Sequence, residues 1–173
     1  MSFYIRPYDP DRDSIEAINE MLHAAYKPLL DRGWRYTAAW QDAARAERRI
    51  SNGTYLIAFE DDIMVGGILY RNPQQTSGCP HYDKPGVAMF GMFGVLPEHK
   101  GKGYGKALHD AVEELAIKDG AEELALDTAV PADFLQRMYE SWGYHFVEYA
   151  QWDLSLVNYQ SVIMSKKLPT KQD

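Results

Sequence analysis

The chain has 173 residues with 18 basic and 25 acidic side chains, a formal net charge of −7, and 46% apolar residues, which suits a globular domain and excludes disordered or collagen-like chains. Its longest apolar or glycine run, Gly86 to Leu96, is shorter than the roughly 18 residues of a membrane span, and charge follows the N-terminus at once where a signal peptide would be apolar. The single cysteine, Cys79, and the lack of metal-ligand spacing predict neither disulfide nor metal.

From these features one domain over residues 1–173 is expected, with a short polar tail from about 169, in the cytoplasm and without a membrane partner. The acidic balance argues against nucleic acid, whose binding depends on excess Lys and Arg, and leaves room for a cationic ligand. Whether the chain is a monomer or a homodimer stays open.

Phe3 to Tyr8 reads as a strand ending at Pro10, with Asp11 and Asp13 placed to cap a helix. Ile15, Ile18, Leu22, Ala25 and Leu29 then form one helical stripe toward Gly33, with Pro28 a possible break. Thr37 is expected to cap a second helix through about Ile50, made polar by Arg45, Arg48 and Arg49. After a Ser51-Asn52-Gly53 turn, Thr54 to Phe59 and Ile63 to Tyr70 predict a hairpin. Arg71 to Gly86 is a long loop, Val87 to Leu96 a strand covered on both faces, and Ala107 to Leu115 a helical stripe ending at Asp119-Gly120. A strand at about Glu123 to Thr128, a helix at about Ala132 to Trp142, and strands at about Tyr144 to Gln151 and Ser161 to Lys166 complete a mixed α/β chain.

The turn between the apolar strand and its helix carries Gly101, Gly103 and Gly105 among Lys100, Lys102 and Lys106. Glycines admit close backbone approach, and the first N–H groups of a helix lack internal partners, so the segment suits an anion such as a pyrophosphate. A solvated turn is the plain alternative. Two phosphate-loop patterns fail on spacing: Gly105-Lys106 is followed by Ala107, without the hydroxyl of a P-loop, and no third glycine completes G-x-G-x-x-G.

Val95-Leu96-Pro97-Glu98-His99-Lys100-Gly101-Lys102-Gly103-Tyr104-Gly105 resembles the acetyl-CoA motif of the GNAT superfamily of N-acetyltransferases, a Val-x-Pro strand end followed by Arg/Gln-x-x-Gly-x-Gly/Ala. Lys100 stands in the Arg/Gln place. Downstream, Leu124-Ala125-Leu126-Asp127-Thr128 and then Tyr139-Glu140-Ser141-Trp142-Gly143-Tyr144 resemble the family's second signature, with Ala132 where its helix usually starts with Asn. The likeness covers Phe3 to about Leu168. It implies an α/β (α+β) acyl-CoA N-acyltransferase fold, a mixed, mostly antiparallel sheet of about seven strands flanked by about four helices.

The resemblance further implies acetyl transfer from acetyl-CoA to a primary amine of a small molecule or protein by direct attack in a ternary complex. A silent acyl-CoA-binding module and a longer-chain acyltransferase are the alternatives. Pyrophosphate would lie on Gly101 to Lys106, including Tyr104, and pantetheine along the backbone of Phe93, Gly94 and Val95. Tyr139 takes the family's proton-donor place, and Asp127 the acidic place that serves as base in some relatives. His81, Asp83 and water are rival bases. Trp34, Tyr36, His81 and Tyr82 are candidate acceptor contacts, and Trp40 reads as core.

Overall fold

The structure, a computed structural model, describes residues 2–169, so most of the expected polar tail lies outside the described residues. Its strands are β1 (Phe3–Pro7), β2 (Thr54–Glu60), β3 (Ile63–Arg71), β4 (Val87–Val95), β5 (Glu123–Ala129), β6 (His145–Ala150) and β7 (Ser161–Lys167). The helices are α1 (Ile15–Asp31), α2 (Thr37–Trp40), α3 (Ala43–Ser51), α4 (Tyr104–Lys118) and α5 (Asp133–Ser141), with a 3-10 turn at Pro97–His99. One sheet in the order β1-β2-β3-β4-β5-β7-β6 joins the strands. Neighbours are antiparallel except β4 and β5, which α4 connects in parallel.

Two apolar layers cover the sheet. On one face the α1 stripe, with Ala46 and Ile50 of α3, packs on Tyr55, Ile57 and Phe59 of β2. On the other, Leu108, Val112 and Ala116 of α4 pack on Leu56, Ala58, Ile68 and Phe90. The period-two alternation of β2 divides its side chains between the layers. At the hairpin, Asp61 and Asp62 both have positive φ, 49° and 66°, the mirror-turn geometry that matches strand twist and that Asp tolerates better than most residues.

Several helix boundaries differ from expectation. Ser14, rather than Asp11 or Asp13, caps α1 by accepting from the Ala17 N–H at 3.1 Å. The helix also passes through Pro28, which forfeits one backbone hydrogen bond near its end. The helix expected from Thr37 to Ile50 is two, α2 and α3, because Asp42 caps a new start by accepting from the Arg45 N–H at 2.8 Å. Among the described residues the helices thus number five, in keeping with the about four expected.

Asp13 has a different task. Arg6 of β1 donates to both of its oxygens, at 2.7 and 2.8 Å, and the Asp9 N–H adds a third bond at 2.8 Å, locking β1 to the start of α1. The Arg6 hydrogen bonds hold the Asp13 carboxyl below its usual 3.8. A lowered folded pKa gives stability that is present above the unfolded value and lost as pH falls through the folded one. Asp13→Asn should therefore cost about 1–3 kcal/mol near pH 7, and thermal melts should show the gap to the parent shrinking as pH is lowered below 4.

Candidate active site

β4 and β5 pair over Val87↔Glu123, Ala88↔Leu124 and Met89↔Ala125, and then diverge. β4 stays bound to β3 as far as Val95, but with a bulge: Gly91 pairs with Leu69 and Gly94 with Gly67, and Met92 between them has φ +46°. The extra residue turns the strand, so Phe90 and Phe93 face the same layer and meet edge to face at 5.8 Å. From Gly91 to Val95 the β4 edge on the β5 side has no strand partner among the described residues. α1 lies close over this edge, since a Cβ on Gly94 would come within 2.9 Å of Ala25 Cβ. A cleft of about 1000 Å³ opens at the divergence, running from the glycine turn past this edge to Asp127.

At the turn, Gly103 (φ +83°) precedes α4 in the left-handed region, and a Cβ there would meet nothing within 4 Å. Ala107 is the first α4 residue whose N–H bonds back to the turn, reaching the Gly103 carbonyl at 3.1 Å. The preceding N–H groups have no backbone partner among the described residues and lie at the positive end of the helix dipole. Lys100, Gly101, Gly103, Tyr104, Gly105 and Lys106 line the cleft. Lys102 does not: its ammonium lies 3.1 Å from Glu60 Oε1, and the Tyr104 hydroxyl donates to the same carboxylate. Lys106 pairs with Asp110 at 2.6 Å, so the positive charge expected from three lysines is partly neutralised.

Asp127 on β5 faces the cleft. Tyr82 donates to its Oδ2 at 2.6 Å and Trp152 to its Oδ1 at 3.2 Å. Burial raises its pKa, while these two bonds, Arg49 and Arg71 pull it down; the net direction is upward. Tyr139 lines the cleft from α5, and its ring meets Phe90 and Trp142 edge to face at 6.0 and 5.6 Å. Burial keeps this phenol neutral. Tyr36 also lines the cleft but its hydroxyl is committed, accepting from the Ala129 N–H at 3.1 Å and bonding Thr128 at 2.8 Å.

Other candidates lie elsewhere. His81 is buried beside Glu123 at 3.3 Å, outside the cleft, and Asp83 accepts from the Gly78 N–H at 3.1 Å. Trp34 stacks on Phe134 at 6.1 Å without lining the cleft itself, and Trp40 donates to the Leu156 carbonyl at 3.0 Å. Ala132 is fully buried at the start of α5, and Gln136 donates there to the Ala129 and Val130 carbonyls at 3.1 and 2.9 Å. Sequence reasoning overlooked Arg49, Arg71, Tyr26 and Trp152, which all line the cleft. Their one advance signal was an arginine closing an otherwise uncharged strand, at Arg71. No helix of the described residues is long and apolar enough to cross a membrane.

The family model described as the acetyltransferase (GNAT) family matches residues 15–144. The chain is 29% identical, over 136 residues covering 78% of it and 79% of the relative, to the S-(2-succino)cysteine N-acetyltransferase of Bacillus subtilis (strain 168). In fold it resembles the ribosomal-protein-S18-alanine N-acetyltransferase of Escherichia coli, with TM-score 0.71 and 14% identity over 99% of this chain and 97% of that one. A GNAT family acetyltransferase of Elizabethkingia anophelis with acetyl-CoA bound is also similar, with TM-score 0.68 and 11% identity over 96% and 98%.

Proposed function

The chain belongs to the acetyltransferase (GNAT) family and is an N-acetyltransferase, and from that premise we propose how its residues hold acetyl-CoA and move the protons of acetyl transfer to a small-molecule amine. The unpaired β4 edge beside the glycine turn carries this reading. An extended chain bearing amides can add to that edge as a further strand would, and the turn takes the pyrophosphate at its end. The residues fit: Gly101 and Gly103 leave open the space a Cβ would fill, and Lys100 lines the cleft beside them. Acetyl-CoA supplies the acetyl thioester.

The chain's residues then do three things. Backbone N–H groups of β4 from Phe93 to Val95 align the thioester and face the negative charge that develops on its carbonyl oxygen, a contribution worth roughly 3 kcal/mol per donor. Tyr139 donates a proton to the departing sulfur, and its burial ensures that the proton is present at any ordinary pH. Asp127 takes the proton of the acceptor ammonium, directly or through a water. Its raised pKa strengthens it as a base, while Tyr82 and Trp152 fix its orientation.

A panel of amines with acetyl-CoA, followed by thiol release, tests the activity itself: no release with any amine of the panel, or release at the same rate without amine, would refute it. Gly103→Val should abolish stabilisation of the protein by acetyl-CoA in thermal melts, because its methyls enter the cradle. Tyr139→Phe should lower kcat by roughly ten- to a thousand-fold with acetyl-CoA affinity kept; unchanged turnover would leave Tyr139 a packing residue. Asp127→Asn should depress the rate at neutral pH and recover as pH approaches the amine's own pKa, since free amine then forms unaided. A loss equal at every pH would instead mark a lost contact.

A further inference from the structure

We propose that the acceptor amine carries a carboxylate, as an α-amino acid does, and that Arg49 and Arg71 bind this carboxylate in the arm of the cleft that holds Asp127. The proposal rests on the acetyl-transfer reading and names its substrate class.

The charge of the cleft is opposite to that of the chain. Against the net charge of −7, the lining holds four arginines and two lysines but only two carboxylates, Asp127 and Asp153. The lysines belong to the glycine turn. Arg32 lies over Phe134 at 4.6 Å and Arg45 over Trp40 at 5.4 Å, so both have aromatic partners. Arg49 and Arg71 are different. Arg71 closes β3, and among the described residues its guanidinium makes no ion pair within 4 Å, while its Nε is buried without a hydrogen-bond partner. Arg49 donates at 2.8 Å to Gln41, a fully buried neutral side chain, and likewise has no ion pair among the described residues. Burial lowers the pKa of each, and the Arg71 charge lowers that of Arg49 further.

Two partly buried cations thus face one cavity, and the acid of its lining whose charge acts on both is Asp127. Such a charge excess is costly unless an anion arrives to offset it, and strongly perturbed charges in a cleft mark functional sites. The pyrophosphate is not that anion. Arg71 pairs in the sheet with Met89, and the glycine turn begins beyond Val95, roughly 20 Å further along at about 3.3 Å per residue. A planar guanidinium matches a carboxylate through two parallel hydrogen bonds. With the carboxylate there, the ammonium of the same molecule lies on the Asp127 side, next to its base. A polyamine or aminoglycoside would meet two arginines, so the cationic acceptor that the overall charge allowed is disfavoured.

The test uses the full chain and matched probes: L-phenylalanine against phenethylamine, L-methionine against 3-(methylthio)propylamine, and the other common amino acids beside their amides. Binding is followed by saturation-transfer NMR with coenzyme A present, and turnover with acetyl-CoA by thiol release. At least one amino acid should bind, with its carboxylate-free partner at least tenfold weaker. Arg71→Gln should reduce that discrimination to under threefold, Arg71→Lys should restore part of it, and acetyl-CoA affinity should stay within twofold. Removing one of two uncompensated charges should also leave Tm unchanged or higher in Arg71→Gln, whereas loss of a structural ion pair would lower it. Amines binding as well as amino acids, no carboxylate probe binding, or discrimination intact in Arg71→Gln would each overturn the proposal. The two readings fail separately: acetylation of carboxylate-free amines keeps the transferase and removes the carboxylate, and arginine-dependent amino acid binding without thiol release does the reverse.

Discussion

The site depends on how little of β4 is paired with β5. A parallel pair that ends at Met89↔Ala125 leaves the sheet intact behind and open in front. The strands are free to part because β4 keeps its other edge on β3 and β5 keeps its own on β7, from Glu123↔Lys167 to Ala129↔Ser161. Each strand is held by one neighbour, so the gap between them costs no unsatisfied sheet edge on the far sides. The bulge at Met92 completes the arrangement. By turning β4 one residue out of step, it places Phe93 in the core layer of Phe90 within the stretch that lies beyond the last β5 partner.

Glycine placement follows from the same constraint. α1 must cross β4 closely for Tyr26 to line the cleft, and Gly94 grants the approach, since a Cβ there would press on Ala25. Burial raises the pKa of Tyr26, and the nearby Phe93 N–H works against that rise. The cleft is therefore surrounded by neutral phenols, those of Tyr26, Tyr36 and Tyr139 among them, with Asp127 as the one acid set deep among them. Neutral donors in a desolvated space strengthen whatever charge develops between them, because little water remains to screen it.

Periodicity made most of the fold legible. The α1 stripe, the β2–β3 hairpin and the α4 helix each repeat a pattern within a few turns or strands, and each stands close to its expected bounds. Capping was less legible, because Ser14 and Asp42 compete with Asp11, Asp13 and Thr37, all plausible acceptors by type, and only the path of the chain selects among them. The bulge left no trace, since Met92 continues an apolar run that reads as one strand. At the candidate site the glycine turn, Asp127, Tyr139, Tyr36 and Tyr82 were readable as residues facing one cleft, whereas Lys102, Trp34 and His81 were drawn away by Glu60, Phe134 and Glu123. Arg49 and Arg71 were hidden for a different reason. They come from a helix end and a strand end, and nothing local announces that α3 and β3 deliver them to one wall.

Their meeting also bears on Asp127, the base proposed above. Asp127 is held between two opposed influences, burial that raises its pKa and the Tyr82, Trp152, Arg49 and Arg71 groups that lower it. With a carboxylate on the arginines, as proposed, their positive field at Asp127 is largely cancelled while the hydrogen bonds from Tyr82 and Trp152 persist. Compared with an acceptor that lacks the carboxylate, the carboxyl group's proton affinity is then higher, while the ammonium beside it pulls the other way in both cases, so the carboxylate favours proton transfer to Asp127. The same linkage, taken in reverse, makes a protonated Asp127 a poorer neighbour for the ammonium and leaves the arginines less compensated. An acceptor lacking the carboxylate would thus lose twice on this wall, in binding and in the readiness of the group proposed to deprotonate it.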